Sequence, residues 1–268
     1  MATCFHHTDR ETGRACTRCG RPACPDCLIQ ASVGSQCFEC VKRGAPKRTV
    51  RIRQTLQRDP LIATKVITAI TVGGFLLIAL RDGNLDGTGN TADKLALLGP
   101  AVKNGDWWRL VSYSLVHYGL LHIGSNLLVL WIVGRVLEPV TGPIRFATIY
   151  VVSVLGGAAG ALIATPHGLI GGASGGVFGV AAAATLVLHR QGIRFWDAGF
   201  GPLILINLAL GLFISNISLG GHIGGLVAGA LTAEGMLQAR KLELPLLGYV
   251  GALLVAVVSV GIAFAVVG

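Results

Sequence analysis

The first sixty residues mix polar groups with cysteines and contain no long apolar run, whereas from Leu61 onward apolar blocks follow one another to the end of the chain. Seven of these blocks approach the ~20 residues needed to span a bilayer. They cover about 61–80, 119–137, 145–164, 173–189, 201–217, 220–237 and 245–267, with Ser215, Asn216 and Ser218 marking a short turn between the fifth and sixth. The pattern predicts an all-α membrane protein, a polytopic helix bundle behind a small N-terminal domain. The connection 81–118 is the longest, and Asp106-Trp107-Trp108-Arg109-Leu110 within it suits a headgroup layer, where tryptophans and cations gather.

Glycine spacing predicts which helices touch. In Gly171-Gly-Ala-Ser-Gly-Gly-Val-Phe-Gly179, small residues stand four apart at Gly172 and Gly176 and at Gly175 and Gly179. Gly221, Gly225 and Gly229 repeat the same spacing. Small residues four apart let two helices approach closely in lipid. One smooth helix carries Ser174 and the other carries His222.

Composition and charge sharpen this picture. Hydrophobic residues make up 52% of the chain and charged ones 13%, and the mean hydropathy is +0.66, which favours a multi-spanning protein over a soluble core. No signal peptide is expected ahead of the polar head. Residues 1–58 hold eleven Lys and Arg against four Asp and Glu, a large share of the formal +9. Arg135, Arg145, Arg190, Arg194, Arg240 and Lys241 fall between spans on the side of this basic segment. The excess of positive charge marks that side as cytoplasmic, so the N terminus is expected inside and the C terminus outside, in a cell membrane. Lys42, Arg43, Lys47, Arg48, Arg51, Arg53 and Arg58 form a juxtamembrane linker suited to anionic lipid.

All seven cysteines lie in the first forty residues. Cys4 with His7, Cys16 with Cys19, Cys24 with Cys27 and Cys37 with Cys40 are four pairs of the x-x-spaced kind, eight ligands for two structural zinc ions. An odd cysteine count on a cytosolic side argues against disulfides. His6 competes with His7, and spacing favours His7. The pairs can be combined sequentially or by interleaving. Two bound ions and seven thiolates would reduce the local positive charge, which argues against nucleic-acid binding.

The apolar part carries few polar groups, and each is a candidate for function. Ser174 could act as a nucleophile and His222 as its base, both at the outer ends of their helices. His122 and Asn126, four apart on one helix face, could donate hydrogen bonds to a developing oxyanion beside the N–H of Ser174. No Asp or Glu lies at that depth, since Glu138 and Glu234 sit near the inner ends, so a Ser/His dyad is expected, with no cofactor needed for catalysis.

Together Trp108-Arg109, His117, His122-x3-Asn126, Gly134-Arg-Val-Leu-Glu138, Gly172-Ala-Ser174-Gly175 and Gly221-His222-Ile-Gly-Gly225 resemble the rhomboid intramembrane serine proteases. The resemblance implies a six-helix core over 61–237 and cleavage of single-pass transmembrane proteins within or near their membrane segment. Ser174 and His222 would form the dyad, and His122 and Asn126 the oxyanion hole. Many members have Tyr where this chain has Phe178, which can still stack on the histidine. Residues 1–43 resemble a cross-braced B-box zinc finger if the pairs interleave. Residues 44–60 are then the polybasic linker, and 238–268 a linker with a seventh helix. The head's role stays open between binding a cytoplasmic partner, sensing metal and anchoring.

A competing expectation is an inactive rhomboid-like binder or escort of transmembrane segments, which has no need of both Ser174 and His222. A transporter would place charges in mid-span, and only Lys65 comes close. The absence of His-Glu-x-x-His argues against a metalloprotease.

Overall fold

The computed structural model describes residues 2–31, 34–44, 61–193, 202, 204–205 and 218–268. Most of the polybasic linker and of the expected fifth span lies outside the described residues. The chain divides into two compact units, residues 1–54 and 55–268.

The first unit has two antiparallel ribbons, β1 (Ala2–Thr3) with β2 (Glu11–Thr12) and β3 (Leu28–Gln30) with β4 (Ser35–Cys37), followed by α1 (Phe38–Gly44). So short a segment cannot bury much apolar surface. Its buried residues are mainly cysteines: Cys4, Cys24 and Cys27 around Ala23 in one group, and Cys16, Cys37 and Cys40 in another.

The second unit is a helix bundle. Its long helices are α2 (Ile62–Asp82), α6 (Leu120–Thr141), α7 (Pro143–Ala164), α8 (Ser174–His189), α9 (Leu219–Lys241) and α10 (Pro245–Val267). These correspond to six of the seven expected apolar blocks. Among the described residues, α2, α6, α7 and α10 are long and apolar enough to cross a membrane, while α8 is a shorter apolar helix of 16 residues. The molecule is thus a multi-pass membrane protein.

Three helices meet along glycines. A Cβ on Gly225 of α9 would stand 2.1 Å from the Gly175 carbonyl oxygen of α8, and one on Gly229 would stand 2.4 Å from Gly179 Cα. The other edge of α9 fits α7: a Cβ on Gly224 would come within 2.2 Å of Gly156 O, and one on Gly220 within 2.4 Å of Gly160 O. α9 is therefore smooth on two sides, and the partner on the second side is a glycine set in α7, Gly156 and Gly160, that also stands four apart.

The Gly134-to-Glu138 stretch of α6 has a different task. Any Cβ on Gly134 would lie 2.3 Å from Thr64 Oγ1 of α2. One turn later the buried Glu138 carboxylate accepts from the N–H groups of Ala63 (2.8 Å) and Thr64 (2.9 Å) and from the Thr64 hydroxyl (2.6 Å). A helix start has N–H groups with no partner within the helix, and a carboxylate there satisfies them and suits the helix dipole. Glu138 thus ties α6 to the first turn of α2.

The long connection after α2 is ordered, with α3 (Asn90–Leu95), α4 (Gly99–Lys103), α5 (Arg109–Ser112) and a 3-10 turn (Tyr113–Leu115). The Asp82 carboxylate accepts from the N–H groups of Thr91 and Ala92, both at 2.9 Å, and so caps α3. Trp107 and Trp108 are exposed, as the interfacial reading expects, but Arg109 is only 7% exposed. Its guanidinium turns inward to the carbonyls of Asp93 (2.5 Å) and Ala96 (2.7 Å), with Nε on Asp106 at 2.9 Å. The carbonyls at the end of α3 have no helical partners, and a buried cation satisfies them better than water-facing headgroups could. Leu97 and Ile170 exchange both backbone hydrogen bonds (2.8 and 3.0 Å), so this connection is bound to the segment that leads into α8.

Candidate active site and metal-ligand clusters

α6, α8 and α9 all begin at the same end of the bundle, and each brings its polar residue within its first two turns. Helix N-termini carry partial positive charge, so three of them meeting there favour an anion. Ser174 is the first residue of α8. In α9 the Ser218 hydroxyl caps the helix by accepting from Gly221 N–H at 3.1 Å, and His222 follows.

The two helices bring Ser174 Oγ and His222 Nε2 to 2.9 Å. Phe178, one turn along α8 from Ser174, stacks on the His222 ring with centroids 4.3 Å apart and planes at 20°. His222 Nδ1 is buried with no hydrogen-bond partner among the described residues, so no carboxylate there completes a triad.

His122 reaches the same place from α6, and Asn126, one turn further along that helix, is buried too. The N–H of Tyr118 donates to His122 Nδ1 at 3.2 Å. A backbone N–H can only donate, so Nδ1 accepts and the neutral ring carries its proton on Nε2. That Nε2, like Asn126 Nδ2, is buried without a partner among the described residues. Two donors are thus buried with no acceptor among the described residues, which is costly unless a ligand atom arrives. A Cβ on Gly172 would lie 2.9 Å from His122 Nε2 and 3.6 Å from Ser174 Oγ, and φ there is +133°. Only glycine leaves that gap open and takes that backbone shape. Gly172 thus serves close approach to the Ser174 hydroxyl as well as the four-residue spacing along the chain.

Glu234 lies far from this cluster, paired with Arg190 across the other ends of α8 and α9. Lys65 is an exposed residue of the first turns of α2.

In the first unit the pairs interleave. Cys4, His7, Cys24 and Cys27 form one group and Cys16, Cys19, Cys37 and Cys40 the other, with the ligand atoms of each group all within 4.8 Å of one another, so that each could hold a metal ion. His7 Nδ1 lies 3.5 Å from Cys24 Sγ and 3.3 Å from Cys27 Sγ, and Cys19 Sγ lies 3.8 Å from Cys37 Sγ. His6 is instead wedged between Phe5 and Phe38, with centroids at 5.3 and 5.0 Å. The thiols pull against one another. The N–H of Cys37, donating at 3.2 Å, leads the causes that lower Cys16 to about 6, whereas burial, then crowding by Cys19, Cys37 and Cys16, pushes Cys40 up to about 12. A bound cation would remove that conflict by favouring every thiolate at once.

Comparison with known proteins agrees with the geometry. Residues 104–239 match the Rhomboid domain family. Rhomboid protease GluP of Bacillus subtilis (strain 168) is 34% identical over 138 residues, 50% of this chain and 27% of its own length. RHOMBOID-like protein 5 of Arabidopsis thaliana is 33% identical over 135 residues, 48% of this chain and 43% of its own. The match to this chain thus spans less than half the length of either relative. It is more complete for YdcA of Bacillus subtilis (strain 168), 31% identical over 146 residues, 52% of this chain and 72% of that protein. With half of its residues matched by the domain and 72% of a relative covered, the chain belongs to the rhomboid family.

Proposed function

We propose that this chain is an intramembrane serine endopeptidase that cleaves single-pass transmembrane proteins within or near their membrane segment, using Ser174 and His222 as a dyad. The observation that carries the reading is the 2.9 Å contact between Ser174 Oγ and His222 Nε2, with the unpartnered His122 Nε2 across the gap that Gly172 leaves open. In the reaction His222 Nε2 takes the Ser174 hydroxyl proton as Oγ attacks the scissile carbonyl carbon. The carbonyl oxygen becomes an oxyanion, met by His122 Nε2–H, Asn126 Nδ2–H and the N–H of Ser174 at the start of α8. Collapse breaks the C–N bond, and His222 gives its proton to the departing amine. Water then hydrolyses the acyl-enzyme by the same proton route. With no carboxylate on His222 Nδ1 among the described residues, stacking on Phe178 orients the imidazole.

The same reading divides the chain into a zinc-binding head at 1–43, a linker at 44–60, a six-helix core at 61–237 and a seventh helix within 238–268. It faces the dyad end outward, with the basic segments and N terminus in the cytoplasm. A binder or escort would account for the apolar bundle equally well. It would leave the buried His122, Asn126 and His222 polar atoms without a purpose, each at a cost of about 1–3 kcal/mol.

The test is cleavage of a labelled single-pass substrate by the purified chain in liposomes, together with labelling by a fluorophosphonate probe. Cleavage with probe attached at Ser174 supports the protease; capture of intact substrate with neither would favour the binder. Asn126→Ala should then lower kcat by about 10²-fold, about 3 kcal/mol, because one donor to the oxyanion is lost. Its KM should change little, since the donor acts on the transition state.

The head is proposed to hold two structural zinc ions in a B-box-like arrangement. A tetrahedral zinc with Zn–S of about 2.3 Å and Zn–N of about 2.0 Å has S–S edges near 3.8 Å and S–N edges near 3.5 Å, which supports this ion. Chelation should unfold the head and render all seven cysteines reactive to a thiol reagent. The metal-free clusters hold more protons than the metal-bound ones, so apparent affinity should rise with pH and be lost on acidification. Unreactive thiols after complete zinc removal would count against a metal-held fold.

A further inference from the structure

His117 is buried (1% exposed), polar, and takes no part in the chemistry above. It lies between the 3-10 turn and α6, and its Nε2 accepts from the N–H of Ala173 at 3.2 Å. Because that N–H can only donate, the neutral imidazole carries its proton on Nδ1, which donates to the Leu115 carbonyl at 3.2 Å. The ring stands edge-on to His122, with centroids 5.1 Å apart at 60°. A second bond, Gly172 N–H to the Tyr113 carbonyl at 3.0 Å, joins the same two segments.

Ala173 is the residue before the serine. Its carbonyl accepts from Val177 N–H at 3.1 Å, so residue 173 is held on both sides. The peptide plane between 173 and 174, which carries the N–H of Ser174, then has little freedom to turn. We propose that His117 is a positioning residue for acylation: acting through the Ala173 backbone, it aims the N–H and the hydroxyl of Ser174 at the reacting carbonyl. It touches neither substrate nor reacting atoms. The proposal rests on the serine protease reading and adds a residue to it.

The chemistry of the contact selects the variants. A glutamine amide reaches about as far as Nε2 of histidine, whereas an asparagine amide reaches only as far as Nδ1. His117→Gln can keep an acceptor for the Ala173 N–H; His117→Asn and His117→Leu cannot. In liposomes, the Asn and Leu variants should lose about 10²-fold in kcat per folded molecule, the effect of a small displacement in a reacting pair. Their KM should stay within about 2-fold of wild type, and His117→Gln should stay within about 5-fold in kcat. Probe labelling of Ser174 should fall in parallel. Amide hydrogen exchange at Ala173 should speed up in the Asn and Leu variants and not in Gln.

A purely structural histidine would lower the folded fraction or the Tm of the Leu variant with kcat per folded molecule unchanged, and that result overturns the proposal. So does a Gln variant as impaired as Asn. Exchange reads the bond without requiring cleavage, so the two ideas can fail separately. A wild type that neither cleaves nor labels sinks the protease reading and with it the positioning role, even where exchange reveals the bond intact. Unchanged exchange at Ala173 in the Leu variant sinks the bond itself while the dyad stands.

Discussion

Replacing Ser174 by alanine is expected to reduce cleavage of a single-pass substrate to the small residual rate that binding and the oxyanion donors alone support, and replacing His222 by alanine to do nearly the same. In the proposed dyad the two side chains act as one unit: the hydroxyl would be a poor nucleophile until Nε2, 2.9 Å away, accepts its proton. Loss of either partner of such a unit lowers kcat by up to about 10⁶-fold, and removing both costs little more. The double variant should therefore be no slower than Ser174→Ala. Both positions adjoin glycine-faced helix contacts, and shortening a side chain to alanine leaves those contacts intact, so folding should persist. The measurement is initial cleavage rate at matched folded protein, paired with fluorophosphonate labelling. Labelling should vanish in Ser174→Ala and fall steeply in His222→Ala. Retention of a tenth of wild-type activity in both would exclude the dyad.

The second large effect comes from a methyl group. Gly225→Ala would place a Cβ 2.1 Å from the Gly175 carbonyl oxygen and 2.7 Å from its carbon, where only backbone is available to yield. α8 and α9 must separate by about 1 Å, a form of overpacking that costs typically 1–3 kcal/mol. Gly225 is three residues from His222, and Gly175 is next to Ser174. The contact that sets the helix separation therefore also sets the Nε2-to-Oγ distance, and a displacement of about 1 Å in a reacting pair is worth roughly 10²-fold in rate. Gly235→Ala, in the same helix with nothing within 4 Å of the new Cβ, is the control. It should leave activity unchanged and raise stability by up to about 1 kcal/mol, the ordinary helical gain of alanine over glycine. Thermal melting and kcat of the two variants separate a packing effect from a propensity effect. Equal behaviour would mean that α8 and α9 do not meet as closely as these distances require.

Some of this architecture could be read from the chain alone. Six of the seven apolar blocks coincide with described helices because in a bilayer an apolar run near 20 residues must satisfy its backbone internally, and a helix does so. The three-residue spacing of ligand pairs at the N-terminal end is equally local, since a tight turn brings the two members of a pair together. Other features were not legible. Arg109 looked like a headgroup contact because its neighbours Trp107 and Trp108 are interfacial. Its inward turn depends on the carbonyls that end α3, supplied from thirteen and sixteen residues away. His117 stood out in the sequence as one polar residue among several, and nothing local connects it to Ala173, 56 residues on.

The sequence by itself determined the medium, the helices and the short list of polar residues that a bilayer would not tolerate idly. Those properties follow from periodicity, composition and the cost of burying polar groups, which depend only on a residue and its near neighbours. The tertiary structure decided which edges meet, which of two adjacent histidines turns its ring toward the cysteines, and which nitrogen of His122 or His117 carries the proton. Each of those depends on partners distant along the chain, and the energy that selects them exists only once the helices have packed.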